Sequence, residues 1–139
     1  MRNGSVTTHF GVAHPWVCDA NDHLNTRHYV GAFDDAAQHF FALLGYRPGD
    51  ELGWADVSQH VTYQQEVPRG ALFAIDCEVL KVGRSSLTYR QTLSVVDSDA
   101  PSAVLDAVTV HFDLLKRSSA PLPADVLDAA NRLLDGGNL

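Results

Sequence analysis

The chain is 139 residues long and 45% apolar, which suits one domain with its own core and excludes disordered, coiled-coil and collagen-like classes. Acidic residues outnumber basic ones 17 to 10, a net charge of −7 that argues against nucleic acid as a partner. Cys18 and Cys77 are too few for a disulfide framework or a multi-cysteine zinc site, and no apolar run reaches the ~18 residues of a membrane span.

From Met1 onward the first residues lack the apolar segment of a signal peptide, so a soluble cytoplasmic protein is expected. Residues 6–12 are strand-like. The stretch 14–25 is crowded with turn formers and polar groups and opens a helix. In that helix Tyr29, Phe33, Ala36, Ala37, Phe40, Phe41 and Leu44 recur at three- and four-residue spacing, the pattern of a buried stripe. Asn25 is the candidate N-cap, with Asp22 as the alternative, and Gly45 is the stop. After Pro48-Gly49-Asp50 the pattern turns to strands near 54–63, 71–82, 85–96 and 103–116, with Gly83-Arg84 reading as a tight hairpin. Residues 123–135 read as a short amphipathic helix begun by Pro123 and ended by Gly136-Gly137. Long sequential strands with short connections predict an antiparallel sheet in an α+β fold, one domain over residues 1–139. One helix covers one face of such a sheet, so the other face or an edge is expected to meet a second copy.

Phosphate-binding, nucleophile-elbow and HExxH motifs are absent, and the seven histidines show no metal-ligand spacing, so neither metal nor cofactor is expected. The informative stretch is Asp19-Ala-Asn-Asp22-His23-Leu-Asn25-Thr26. A carboxylate there precedes a helix whose first N–H groups are unpaired. Such a helix start can stabilise an oxyanion, and a carboxylate beside it can act as nucleophile or as general base. The same residue types also serve as ordinary caps.

Asp19-x-x-x-His23-Leu-Asn25, followed by Tyr29 and Phe33-Asp34-Asp35-Ala36 on the helix, resembles the hotdog-fold acyl-CoA thioesterases of the 4-hydroxybenzoyl-CoA thioesterase type. His60-Val-Thr-Tyr63-x-x-Glu66 and Val82-Gly83-Arg84-Ser85-Ser86 are similar to further family segments, so the likeness spans residues 14 to about 116. The version here, with Trp16, looks closest to the betainyl-CoA thioesterase-like branch. The resemblance implies a long central helix wrapped by a five-stranded antiparallel sheet, and hydrolysis of a small or medium acyl-CoA. Asp19 would be nucleophile or base, amides at Thr26 or its neighbours would polarise the carbonyl, and His23 and Asn25 would fix the loop and orient water. Asp22 would meet the acyl group, His60, Tyr63 and Glu66 would line the acyl pocket or support the dimer, and Arg84, with other basic residues at strand ends, would meet the CoA phosphates. It further implies a homodimer or tetramer with sites shared between subunits. The family usually has glycine where this chain has Asp22; aspartate tolerates left-handed backbone better than most residues. A hydratase or dehydratase on the same fold, or a non-catalytic acyl-CoA-binding protein, is the alternative.

Overall fold

The structure, a computed structural model, describes residues 3–139; Met1 and Arg2, where the N-terminal reading began, lie outside them. In chain order it contains β1 (Ser5–Val12), a 3-10 turn (Pro15–Val17), α1 (Thr26–Leu43), β2 (Leu52–Tyr63), β3 (Leu72–Val82), β4 (Ser86–Val95), β5 (Ala103–Asp113), β6 (Ser118–Ser119) and α2 (Ala124–Leu134). The strands form an antiparallel sheet in the order β1-β3-β4-β5-β2, with β6 added beside β5. The α+β arrangement of a long helix wrapped by the sheet is the one expected, save for the added β6.

Period-two alternation builds the sheet's inner face. Phe73, Ile75, Cys77 and Val79 of β3 and Leu87, Tyr89, Gln91 and Leu93 of β4 are buried there. The buried stripe of α1, from Tyr29 to Phe41, packs against them, and α2 adds Val126, Ala129, Ala130 and Leu133. Burying a side chain such as Phe40 or Leu93 fully stabilises by about 1.5–3 kcal/mol each. One polar group crosses this core: Gln91 Nε2 donates to the Phe33 carbonyl of α1 (3.0 Å).

Local chemistry sets the ends of α1. Asn25 accepts from Arg27 N–H (3.1 Å) and is the N-cap; Gly45, at φ 95°, takes the left-handed turn that stops the helix. The expected strand over 103–116 ends early, at Asp113. Its Oδ1 accepts from the N–H groups of Leu115 (3.0 Å) and Lys116 (2.9 Å), and the chain reverses through Arg117 at φ 55° into β6. In β5 the core-facing set is Ala103, Leu105, Ala107, Thr109 and His111; the conspicuous valines at 104, 108 and 110 point to the outer face.

A bulge between Asp56 and Ser58 interrupts β2, one of the two edge strands. The extra residue shifts the alternation by one, so Trp54 and Tyr63 both face α1 despite their odd separation. Trp54 stacks on Phe41 (4.7 Å) and Tyr63 meets Tyr29 edge-on (5.2 Å). β2 therefore runs along the whole helix, its start beside the C-terminal end of α1 and its finish beside the N-terminal end.

Candidate active site

The loop from Cys18 to Asn25 folds on itself. Asp19 N–H donates to the His23 carbonyl (2.9 Å), and Asp22 N–H donates to the Asp19 carbonyl (3.1 Å). One carboxylate oxygen of Asp19, Oδ1, accepts from the N–H groups of Asn21 (2.9 Å) and His23 (3.4 Å). Those bonds fix the side chain's direction and leave Oδ2 uncommitted among the described residues. The loop is anchored outward by Asn25 N–H to the Val17 carbonyl (2.9 Å) and Leu24 N–H to the Val67 carbonyl (2.8 Å).

Asp19 opens onto a cleft of about 530 Å³, together with His23, Thr26, Tyr29, Tyr63 and Glu66. Thr26 is the first residue of α1, and its N–H donates to nothing among the described residues. The cleft thus pairs a half-buried carboxylate with an unsatisfied amide at the positive end of an 18-residue helix. A carbonyl placed between the two would have a nucleophile or base on one side and a hydrogen-bond donor on the other.

His23 Nε2 lies 3.0 Å from Glu66 Oε2. A carboxylate accepts, so Nε2 is the donor of this pair. The pair ties the loop before α1 to the segment after β2. With the Glu66 side chain 71% exposed, its worth is at most about 1 kcal/mol. Tyr29 is buried, and burial pushes its phenol above the usual range; a Val67 backbone hydrogen bond opposes this, and Tyr63, Asp19 and Glu66 add to the rise. The phenol therefore stays neutral and adds no charge to its side of the cleft.

The structure brings together Asp19, His23, Thr26, Tyr63 and Glu66. Four other expected site residues lie elsewhere. Asn25 is committed to the cap of α1. Asp22 adopts φ 60°, the conformation that favours glycine, and its carboxylate turns to Arg69 (3.8 Å) rather than into the cleft. His60 pairs with Asp106 on the outer face, because alternation from inward-facing Val61 points it away from α1. Arg84 sits in the β3–β4 turn, at the opposite end of the sheet from Tyr63. Cys18 is half-buried with its thiol against the Ala13 carbonyl (3.6 Å). The reading from sequence missed Tyr29, Gln64 and Gln65 as cleft residues. Tyr29 had a signal: it stands one turn after Thr26 and shares its face.

The fold recurs in a thioesterase-superfamily protein from Jannaschia sp. CCS1, at 16% identity and a TM-score of 0.82 over 94% of this chain and 84% of that one. It recurs in a Staphylococcus aureus protein solved in complex with CoA, at 15% identity and a TM-score of 0.82 over 97% and 88%. A 1,4-dihydroxy-2-naphthoyl-CoA thioesterase from Synechocystis shares it too, at 12% identity and a TM-score of 0.80 over 91% and 96%. At these identities the likeness is one of fold. No curated protein sequence matches the chain significantly. The profile of the thioesterase-like superfamily matches residues 13–130, a span that takes in the Asp19 loop, α1 and every strand from β2 to β5, and the chain belongs to that superfamily.

Proposed function

We propose that the chain is an acyl-CoA thioesterase that hydrolyses a small or medium acyl-CoA to the free acid and CoA. The observation that carries this is the Asp19 carboxylate sharing one cleft with the unpaired Thr26 N–H at the start of α1. The attacking oxygen is that of Asp19 itself or of a water that Asp19 deprotonates. It adds to the thioester carbon, and the displaced electron pair collects on the carbonyl oxygen, which accepts from Thr26 N–H. The C–S bond then breaks and the thiolate leaves, taking up a proton. On the first route the resulting anhydride with Asp19 is hydrolysed in a second step. His23 and Glu66 hold the loop; Tyr29 and Tyr63 wall the acyl group. The CoA-bound neighbour from Staphylococcus aureus supports a CoA carrier.

The working unit we propose is a homodimer of single-domain subunits, or a dimer of dimers, joined through β2. This edge strand is 12 residues long, carries no proline or lysine, and leaves Val57 and Tyr63 exposed. Antiparallel pairing of two such strands sets the start of one beside the end of the other. The Arg84 turn of one copy and the Asp19 cleft of its partner then share one end of the joined sheet.

The test is a panel of CoA esters, with betainyl, aromatic and medium-chain acyl groups, read by release of free thiol. Hydrolysis of at least one ester is expected, with Asp19→Asn lowering kcat by about 10²- to 10⁴-fold while the thermal midpoint holds. A rate unchanged in Asp19→Asn, or no thiol release across the panel, would overturn the reading. Light scattering at micromolar concentration is expected to give a dimer or tetramer.

A further inference from the structure

The start of α1 can give a bound carbonyl one amide donor and no more. Asn25 N–H is taken by the Val17 carbonyl (2.9 Å), Arg27 N–H by Asn25 Oδ1 (3.1 Å) and His28 N–H by the Asn25 carbonyl (2.9 Å). That leaves Thr26 N–H alone free in the first turn. The oxygen of a tetrahedral intermediate carries a full charge and accepts more than one hydrogen bond, so a single amide satisfies only part of it.

The lining of the cleft narrows the choice of a second donor. His23 Nε2 is engaged by Glu66 at 3.0 Å. Thr26, Tyr63, Gln64 and Gln65 are exposed, so water competes for their side-chain donors. Tyr29 differs. It is 5% exposed, its ring is wedged edge-on against Tyr63 (5.2 Å), and its backbone lies within α1. A donor held in this way needs no reorganisation at the moment of reaction.

Helix geometry gives its direction. The Cα–Cβ bonds of an α-helix tilt towards the N-terminus, so a long side chain covers the turn before its own Cα. For Tyr29 that turn is the one begun by Thr26, on the same face. Burial holds the phenol above its ordinary value, so at neutral pH it keeps its hydrogen. The Val67 backbone hydrogen bond opposes that rise, as a bond donated to the oxygen does. The oxygen therefore accepts from Val67, and its own hydrogen is left to be given into the cleft.

We propose that Tyr29 is a catalytic residue whose hydroxyl donates to the thioester carbonyl oxygen together with Thr26 N–H, making a two-donor oxyanion site beside Asp19. This rests on the thioesterase reading and adds a side-chain donor to it. As the oxygen of Asp19, or of the water it deprotonates, bonds to the carbonyl carbon, the C=O π pair moves to oxygen and both hydrogen bonds strengthen. No proton leaves Tyr29. When the C–S bond breaks, the pair returns to re-form C=O, and sulfur departs with the bonding electrons and takes its proton from water. The ring below the hydroxyl still walls the acyl group.

The experiment compares the full chain with Tyr29→Phe on the CoA ester that the parent hydrolyses fastest. Tyr29→Phe is expected to lower kcat by about 10²-fold and to leave KM within about threefold, the pattern of a contact made only in the transition state. The amide analogue of that ester, with nitrogen in place of sulfur, mimics the ground state and is expected to inhibit both proteins with constants within about threefold. Its binding also reports that the variant is folded. A kcat within about threefold of the parent's, a loss that appears in KM instead, or failure of the variant to bind the amide analogue would overturn the role of Tyr29 and leave the thioesterase reading in place. No thiol release from any ester by the parent would overturn that reading, and the role of Tyr29 with it.

Discussion

At its N-terminal end α1 offers an unpaired amide beside a loop carboxylate; at its C-terminal end the same helix meets a cavity with an aromatic floor and an acidic mouth. The first site draws most of its residues from one loop and the first turn of a helix. The cavity draws Tyr46 from the loop after α1, Leu52 from β2, His111 from β5 and Asp125 from α2. Both are served by a single edge strand, because the β2 bulge turns Trp54 and Tyr63 to the same side. A helix with two unlike poles thus gives one small fold two clefts of opposite electrostatic setting.

The sharpest way to break this contrast is to remove the amide without disturbing the helix. Thr26 occupies the first helical position, where proline is tolerated, and Asn25 before it is already extended at φ −72°, ψ 144°. Thr26→Pro is therefore expected to cut kcat by about 10²- to 10³-fold, the loss typical of one oxyanion donor. Its urea midpoint should stay near that of the parent, since proline at this position removes no intrahelical hydrogen bond.

A smaller effect separates holding the helix from doing the chemistry. Asn25→Ala is expected to cost about 1 kcal/mol in urea unfolding, because its side chain caps Arg27 N–H. If Asn25 also acted on substrate, Asn25→Asp, which keeps the cap, would not restore activity; restoration is the expected result.

The smallest expected effect lies away from both ends, on β1. Burial holds the His9 imidazole below its ordinary value, with Asp35 opposing and His39 assisting. The unfolded chain therefore takes up this proton first as the solution is acidified. The stability His9 confers is complete above pH ~6.5 and is lost as the pH falls from there towards the lower folded value. Thermal midpoints of His9→Gln measured between neutral pH and pH ~5 should fall less steeply than those of the parent.

The sequence carried the outline of the fold because each element obeyed a local rule. The stripe on α1, the capping Asn25, the stop at Gly45 and the hairpin at Gly83-Arg84 are decided by neighbours in the chain. The Asp19 loop was legible for the same reason, since the carboxylate, the cap and the helix start lie within a few residues. What could not be read depended on partners distant in sequence. The β2 bulge is invisible to simple alternation, so it concealed that Trp54 faces the helix. The valines of β5 advertised the wrong face and hid buried His111. His60, placed beside Tyr63 by motif, went to the outer face because neighbours on a strand point opposite ways.

Gln91 sets a last constraint. A side-chain amide in an apolar core, hooked to the Phe33 carbonyl midway along α1, works as an index pin between shaft and housing. Sliding or rolling the helix by even one residue would strip that amide of its acceptor in a place where water cannot replace it. The helix is thereby keyed to its groove at the midpoint, and the positions of its two poles are set together rather than adjusted one at a time.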